Sequence, residues 1–207
     1  GVLWNKWFER RHMMHQIRRW DRDHTAELQM AWMNGSGLLV WENVFGSWVG
    51  WSPRDEAILR SMRGIQRRYG RLFSSEDWTP LVPAEQAGTY ASLWQSGGVR
   101  LWTLVNRSEE RVEGTLLNVR HVEGQSYFDL VAGRECDRGL GDIVSLQGTI
   151  QPRGIAAFLG TWPPEPDGMS LSGFLALQAE VNQGADWSSS SRGLQETLRP
   201  VERTFRY

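Results

Sequence analysis

The 207-residue chain contains a single cysteine, Cys136, and a single lysine, Lys6. One thiol cannot close an internal disulfide, and no cysteine or histidine cluster has the spacing of a structural zinc site. The fold must therefore rest on packing, and we expect no metal and no other cofactor. Arginine supplies the remaining positive charge, which indicates a genomic compositional bias and also suits bidentate pairing with carboxylates.

The chain also lacks an excess of either charge and has no long apolar run. The formal net charge is -1, which argues against a nucleic-acid partner because phosphate binding usually leaves a basic excess. The longest apolar-rich stretch, 38–51, is interrupted by Glu42 and Asn43 and is too short to span a bilayer, so we expect no membrane partner. No phosphate loop, nucleophile elbow or CxxC motif supports a nucleotide, esterase or redox function.

The start of the sequence has neither an initiator methionine nor the pattern of a signal peptide. The chain opens at Gly1 and continues Val2-Leu3-Trp4. We therefore expect a fragment of a longer protein, with further domains of the same chain upstream and downstream. The sequence does not indicate a compartment.

Tryptophan, in contrast, is abundant, with 12 residues in the chain. Indole rings fill cores, and their flat faces also form platforms for sugar rings, so we expect a core role for at least half of them. Seven fall within the first 51 positions: Trp4, Trp7, Trp20, Trp32, Trp41, Trp48 and Trp51.

The first 80 residues have the pattern of an α/β fold. A helix is predicted over 20–34, a strand over 38–42 and a second helix over 53–73, with Ser52 as its N-cap and Pro53 in its first turn. The strand is apolar on both faces, which is typical of a fully buried parallel strand. A further strand is predicted over 7–13. Two strands do not make a stable parallel sheet, so most of this sheet is missing from the chain.

From about residue 84 the pattern changes to short strands without helices, which predicts an antiparallel β-sandwich over 84–161. The predicted strands are 89–94, 99–106, 112–121, 126–131, 143–150 and 155–160. Residues 162–207 are predicted to be a Pro/Ser-rich linker with a short helix, capped by Ser170 or Ser172, that leads into a further domain.

Glu42 is the leading candidate for a catalytic residue. It comes at the end of the predicted parallel strand, where ligands of α/β sheets and barrels bind. The alternative is a buried carboxylate paired with an arginine, and position alone does not decide between the two. Glu9, near the end of the predicted preceding strand, is a second carboxylate, and paired carboxylates are the usual machinery of glycoside hydrolysis.

Other candidates flank these two acids and fit substrate binding. His12, His15 and His24 are expected to orient a loop or contact a sugar hydroxyl, because no well-placed third ligand completes a metal site. The alternative role for Asp23 is to cap a helix. The candidates are Trp41, Asn43, Trp48, Trp51, His12, His15, Asp23 and His24.

Two blocks of sequence resemble parts of known glycosidases. The first is WMNGSGLLVWENVFGSWVGWSPRDEAILRSMRGIQRRYGRLF, preceded by RRHMMHQIRRWDRDHTAELQMAW. It resembles the final strands and helices of a glycoside-hydrolase-like (β/α)8 barrel in multidomain bacterial proteins. The second, YASLWQSGGVRLWTLVNRSEE through YFDLVAGRE and TIQPRGIAAFL, is similar to the β-sandwich that follows many such barrels. GFLALQAE and LRPVERTFRY resemble the lead into a formylglycine-generating (sulfatase-modifying factor) type domain.

The resemblance implies a truncated barrel over 1–80 followed by the sandwich, with Glu42 at the mouth of a late barrel strand and a carbohydrate as substrate. Its partner acid would normally lie in the missing upstream barrel, so we expect the fragment alone to be inactive. The alternative is a non-catalytic carbohydrate-binding or scaffolding module attached to the formylglycine-generating type enzyme.

Overall fold

The computed structural model describes residues 2–9, 14–16, 23–39, 51–162 and 169–187. Helices and two short strands form the amino-terminal part, and antiparallel strands form most of the remainder. In chain order the first group is a 3-10 helix Trp4–Trp7, β1 Met14–Gln16, α1 Thr25–Met33, β2 Gly37–Leu39, α2 Pro53–Arg68 and α3 Gly70–Phe73. The second is β3 Trp78–Val82, β4 Thr89–Ser96, β5 Val99–Asn106, β6 Val112–Arg120, β7 Ser126–Asp129, β8 Arg134–Cys136, β9 Ile143–Ile150, β10 Ile155–Thr161 and α4 Leu171–Asn182.

β1 and β2 form a two-stranded parallel sheet connected through α1. His15 is opposite Leu38 in this pair. The first described strand lies at Met14–Gln16. Of the strand predicted over 7–13, Trp7 belongs to the 3-10 helix, and residues 10–13 lie outside the described residues. Pairing with β2, which the local sequence does not reveal, fixes the position of β1. Leu39 is 49% exposed, so β2 is less buried than its apolar sequence predicts.

α2 begins as its sequence predicts. The Ser52 hydroxyl accepts a hydrogen bond from the Asp55 amide at 3.0 Å, and Pro53 occupies the first turn, where a missing N–H costs nothing. The predicted helix over 53–73 is divided at Tyr69, which has a φ of -103° and separates α2 from the short α3. The first helix begins at Thr25, later than the predicted residue 20.

Strands β3 to β10 form two antiparallel sheets. Six strands follow the order β3-β4-β5-β10-β7-β8, and β6 pairs with β9 in a second sheet. All six predicted strands correspond to observed ones, and β3 and β8 are additional.

The six-stranded sheet is covered on both faces, so it forms the middle layer of the described structure. One buried cluster lies between it and the four α-helices, and includes Trp32, Ile58, Trp94, Leu101 and Leu159. The other lies between it and the β6-β9 pair, and includes Trp102, Leu104, Leu146 and Phe158. β10 is buried along its whole length because it contributes side chains to both clusters.

α4 packs into the first of these clusters. The Ser170 hydroxyl caps it by accepting from the Gly173 amide at 3.1 Å. Its Phe174 and Leu175 are buried, and the Gln178 side-chain amide donates to the Ser61 carbonyl on α2 at 3.2 Å. The predicted short helix is therefore present and is held against α2. Within the described ranges, no helix has the length and apolar character needed to cross a membrane.

Candidate functional site

The amino-terminal ends of α1 and α2 are joined by hydrogen bonds at the edge toward which β1 and β2 run. Asp55, fully buried in the first turn of α2, accepts from the His24 amide at 3.1 Å and from the Thr25 hydroxyl at 2.8 Å. In parallel α/β structures the helix amino termini and the carboxyl ends of the strands lie on the same side. Asp55 therefore connects two successive helix starts on the side where ligands of such folds bind.

Arg54 adds a charged contact to this junction. Its guanidinium lies 3.5 Å from the Asp23 carboxylate, and its Nε donates to the Thr25 hydroxyl at 3.1 Å. Asp23 also accepts from the Thr25 amide at 2.9 Å. Burial acts to raise the pKa of Asp23, but the hydrogen bonds from Thr25 and the charges of Arg54 and Arg153 outweigh it and hold this pKa below its ordinary value. Asp23 is therefore a helix-start carboxylate that favours its ionised form.

A buried glutamate lies between two of the predicted histidines. Glu27 on α1 approaches His24 Nδ1 at 3.2 Å and His15 Nε2 at 3.8 Å. The His24 ring also lies 4.9 Å, between ring centroids, from the Trp51 indole. The structure thus brings together four predicted residues, His15, Asp23, His24 and Trp51, around α1 and the start of α2.

Glu9 lies in the amino-terminal segment beside Lys6. Burial lowers the pKa of the Lys6 amine, and the negative charge of Glu9 acts in the opposite direction. Lys6 is also 5.6 Å from the centroid of the Trp78 ring, so this segment is anchored on β3. The remaining predicted site residues, Glu42, Trp41, Asn43, Trp48 and His12, lie outside the described residues.

Glu27, Arg54 and Asp55 are constituents of this cluster that the sequence analysis missed. Glu27 follows His24 at the i, i+3 spacing at which helix side chains meet. Arg54 and Asp55 lie in the first turn of α2, just after the predicted cap Ser52 and Pro53. Their position in the sequence indicates no further role. The spacing provides a signal for Glu27, but the pairing between two helix starts is a long-range contact that local patterns do not encode.

The cluster continues into the β-domain, here the strands β3 to β10. Glu109 lies 4.0 Å from Arg54 and 3.5 Å from Arg153. Next to it, the Arg107 guanidinium donates to the Gln29 side chain on α1 at 2.8 Å. Loops of the β-domain therefore contact the two helices on the side of the helix starts.

In the part of the chain that the structure describes, no group of three or more His, Cys, Asp or Glu side chains is arranged to hold a metal ion. The described cluster is built of carboxylates, imidazoles and guanidinium groups. Carboxylates and imidazoles form hydrogen bonds and transfer protons, whereas guanidinium groups donate hydrogen bonds only.

No family model matches the chain, and no curated protein matches it. Among solved structures, an Anoxybacillus α-amylase is similar at 8% identity with a TM-score of 0.43, over 67% of this chain and 33% of the amylase. A GH30 endoxylanase from Clostridium papyrosolvens has 9% identity and a TM-score of 0.40, over 72% and 41%. A GH27 β-L-arabinopyranosidase from Geobacillus stearothermophilus has 13% identity and a TM-score of 0.36, over 73% and 32%.

These neighbours are glycoside hydrolases at low identity, and the chain spans less than half the length of each.

Proposed function

We propose that the chain is the carboxyl-terminal part of a glycoside-hydrolase-like protein, in which β1, β2 and the helices belong to a (β/α)8 barrel and the β-domain is the following sandwich. The full-length protein would hydrolyse glycosidic bonds with carboxylates at the barrel mouth. The chain by itself would be inactive, because a closed barrel of this type needs about 250 residues.

The observation that supports this proposal best is the parallel unit β1-α1-β2. Met14 and Leu39 lie on one face of the strand pair, since Met14 is opposite Gly37 and Leu39 is opposite Gln16. They are 55% and 49% exposed. The other face carries Leu38, which packs on the helical core. An apolar sheet face turned away from the helices is what the interior of a barrel requires, and further strands would bury it.

Glu42 is the proposed acid/base or nucleophile, because it follows the last residue of β2 by three positions in the sequence. Glu9 precedes β1 and follows no described strand, so the second carboxylate is proposed to come from the upstream part of the barrel. Trp41, Asn43, Trp48 and Trp51 would contact the sugar. His15 and His24, held by Glu27 in the described cluster, would contact its hydroxyls.

The substitution Glu42→Gln in the full-length protein tests this function. Glutamine keeps the size of the side chain but neither exchanges a proton nor attacks, so we expect hydrolysis of unactivated oligosaccharides, measured as released reducing sugar, to fall by about 10²- to 10⁴-fold. Circular dichroism and the urea midpoint should stay unchanged.

Glu180→Gln, at an exposed position of α4, is the matched control and should leave turnover unaffected. Unchanged turnover of the Glu42→Gln protein would contradict the catalytic assignment. If the wild-type full-length protein bound glycans but hydrolysed none of them, the non-catalytic binding module would replace the hydrolase as the proposed function.

A further inference from the structure

The β-domain has a groove at its free edge, away from the cluster described above. β8 is the last strand of the six-stranded sheet and pairs with β7 alone among the described strands. Two cavities, of about 550 and 340 Å³, adjoin β8, and both are lined in part by Cys136, Asp137 and Arg138. The larger, which we call the edge groove, is lined by Gly124, Gln125, Ser126, Tyr127, Glu135, Cys136, Asp137 and Arg138.

A hydrogen-bond network holds the wall of the edge groove in place. The Arg100 guanidinium donates to the Tyr127 hydroxyl at 2.8 Å and to the side-chain Oε1 of Gln125 at 2.7 Å. Gln125 in turn donates to the Gly98 carbonyl at 2.6 Å. Tyr127 and Gln125 are both almost fully buried. The wall is therefore preorganised, and a ligand would pay little entropy to order it.

Arg138 lines the edge groove and determines the tautomer of His121. Its Nη1 lies 2.8 Å from His121 Nε2. A guanidinium can only donate, so Nε2 accepts and the His121 proton is on Nδ1, which lies 3.2 Å from the Tyr127 hydroxyl. Arg138 itself is exposed and keeps donors free for a ligand.

The charge of the groove selects against a strongly charged ligand. One guanidinium, that of Arg138, faces two carboxylates, those of Glu135 and Asp137, and all three side chains are exposed. The groove thus offers both donors and acceptors without a large net charge. Hydroxyl groups, each of which donates and accepts, match such a surface better than phosphates or carboxylates do.

An aromatic ring lies beside the groove. Trp162 is 40% exposed, and its indole N–H donates to the Glu123 carbonyl at 2.9 Å. The ring lies over Gly124, where a Cβ atom would come within 3.2 Å of it, and Gly124 lines the groove. A partly exposed indole next to polar groups offers the apolar surface on which a sugar ring packs.

Strand addition by a peptide fits this edge poorly. β8 is three residues long, and two of its residues, Arg134 and Glu135, are charged and exposed. Short length and charged side chains are the features by which sheet edges resist pairing with another strand.

We propose that the edge groove binds a neutral oligosaccharide, as a carbohydrate site separate from the proposed barrel mouth. Arg138 and Asp137 would bond its hydroxyls, and Trp162 would pack against a ring. The inference is based on residues of the β-domain alone and does not depend on hydrolysis by Glu42.

Isothermal titration of the 207-residue chain with maltohexaose, cellohexaose and xylohexaose tests this site. We expect saturable binding of at least one of them, and a loss of affinity of about tenfold or more in Arg138→Ala, a change of about 1.4 kcal/mol in binding free energy. Trp162→Ala should also weaken binding. Arg111→Ala and Trp4→Ala, at exposed positions outside the groove, are the matched controls and should bind like the wild type.

Absence of binding to all three sugars would overturn the proposal, and so would wild-type affinity in Arg138→Ala. Saturable binding of an alternating valine–threonine hexapeptide in place of the sugars would also overturn it, in favour of strand addition. The hydrolysis assay of Glu42→Gln is independent of these titrations. Sugar binding without any glycosidase activity would therefore reject the hydrolase and retain the groove.

Discussion

Asp129, at the end of β7, is the described side chain with the clearest pH-dependent effect on stability. Its carboxylate accepts from the Val131 and Ala132 amides at 3.1 and 2.9 Å, yet it is only 3% exposed. Burial outweighs these bonds and the nearby Arg134, and raises the pKa of Asp129 from 3.8 to about 6. The folded chain therefore binds this proton more tightly than the unfolded chain does.

The sign of the pH dependence follows from this shift. The stabilisation from protonated Asp129 is complete below the unfolded pKa and is lost as the pH rises through about 6. In Asp129→Asn, which has no charge to bury and keeps a carbonyl oxygen for the two amides, this loss should disappear. We expect the free energy of unfolding of the variant, relative to wild type, to rise by about 3 kcal/mol between pH 3 and 8.

Urea unfolding at several pH values measures this difference. Asp142→Asn, at an exposed position, is the control and should keep a constant offset from the wild type. An equally constant offset for Asp129→Asn would show that the Asp129 carboxyl titrates alike in the folded and unfolded chains.

Single residues also show which contacts can be predicted from the local sequence. Ser52 caps α2 as predicted, and of the two predicted alternatives Ser170 and Ser172 it is Ser170 that caps α4. Such a cap is readable locally because it bonds to an amide three residues away. The ion pair of Arg54 with Glu109 joins positions far apart in the chain. Nothing near either residue in the sequence indicates the other, so the predicted site contained its histidines and Asp23 but neither of these residues.

At the scale of elements, the packing of α4 on the turn before β8 depends on one glycine. Gly133 has a φ of +68°, and a Cβ atom there would lie 2.2 Å from the Leu175 carbonyl oxygen and 2.6 Å from the Ala179 amide nitrogen. Both atoms are helix backbone and have no side-chain freedom to yield. Gly139 has nearly the same φ, +65°, with nothing within 4 Å of its Cβ position.

The pair Gly133→Ala and Gly139→Ala separates backbone strain from the helix contact. In both variants the left-handed conformation of alanine lowers the free energy of unfolding by about 1 kcal/mol. Gly133→Ala should lose about 1 to 3 kcal/mol more, because α4 must move or be overpacked. Urea unfolding at neutral pH measures both values, and equal losses would mean that α4 contributes nothing to stability at this turn.

The accuracy of the predicted elements follows the clarity of their patterns. β9 alternates between exposed and buried residues over its whole length, and its predicted bounds, 143–150, match the observed ones. β3 was missed because it contains Pro80, and Leu81 has a φ of +56° at an irregularity in its pairing. β8 was missed because three residues, two of them charged, carry no alternation.

At the scale of the whole molecule, the shared middle sheet makes the helices and the β-domain one packing unit. The face of that sheet toward the helices carries Trp94, Leu101 and Leu159, all fully buried. The sequence predicted two kinds of secondary structure on either side of residue 84. It did not predict that they share a core, because amphipathic patterns identify an apolar face without identifying its partner.

This arrangement predicts cooperative unfolding. Urea curves of the described chain from tryptophan fluorescence and from far-ultraviolet circular dichroism should coincide. A segment limited to 78–161 would expose the helix-facing apolar surface, and we expect it to self-associate in sedimentation velocity runs and to have a lower urea midpoint. A monomeric 78–161 segment with the midpoint of the whole chain would contradict the shared core.

The contact between α1 and β10 also has a consequence for synthesis on the ribosome. The Trp32 indole donates to the Ala156 carbonyl across 124 positions of sequence. At about 5 to 20 residues per second, α1 waits roughly 4 to 15 seconds for β5, to which Gln29 bonds across 77 positions, and Trp32 waits roughly 6 to 25 seconds for β10. Until then the helix-facing cluster lacks Ile155, Ala157 and Leu159 of β10. The nascent chain is thus most exposed to aggregation and to chaperone binding before residue 161 emerges, and a slow codon stretch downstream of that point would cost it little.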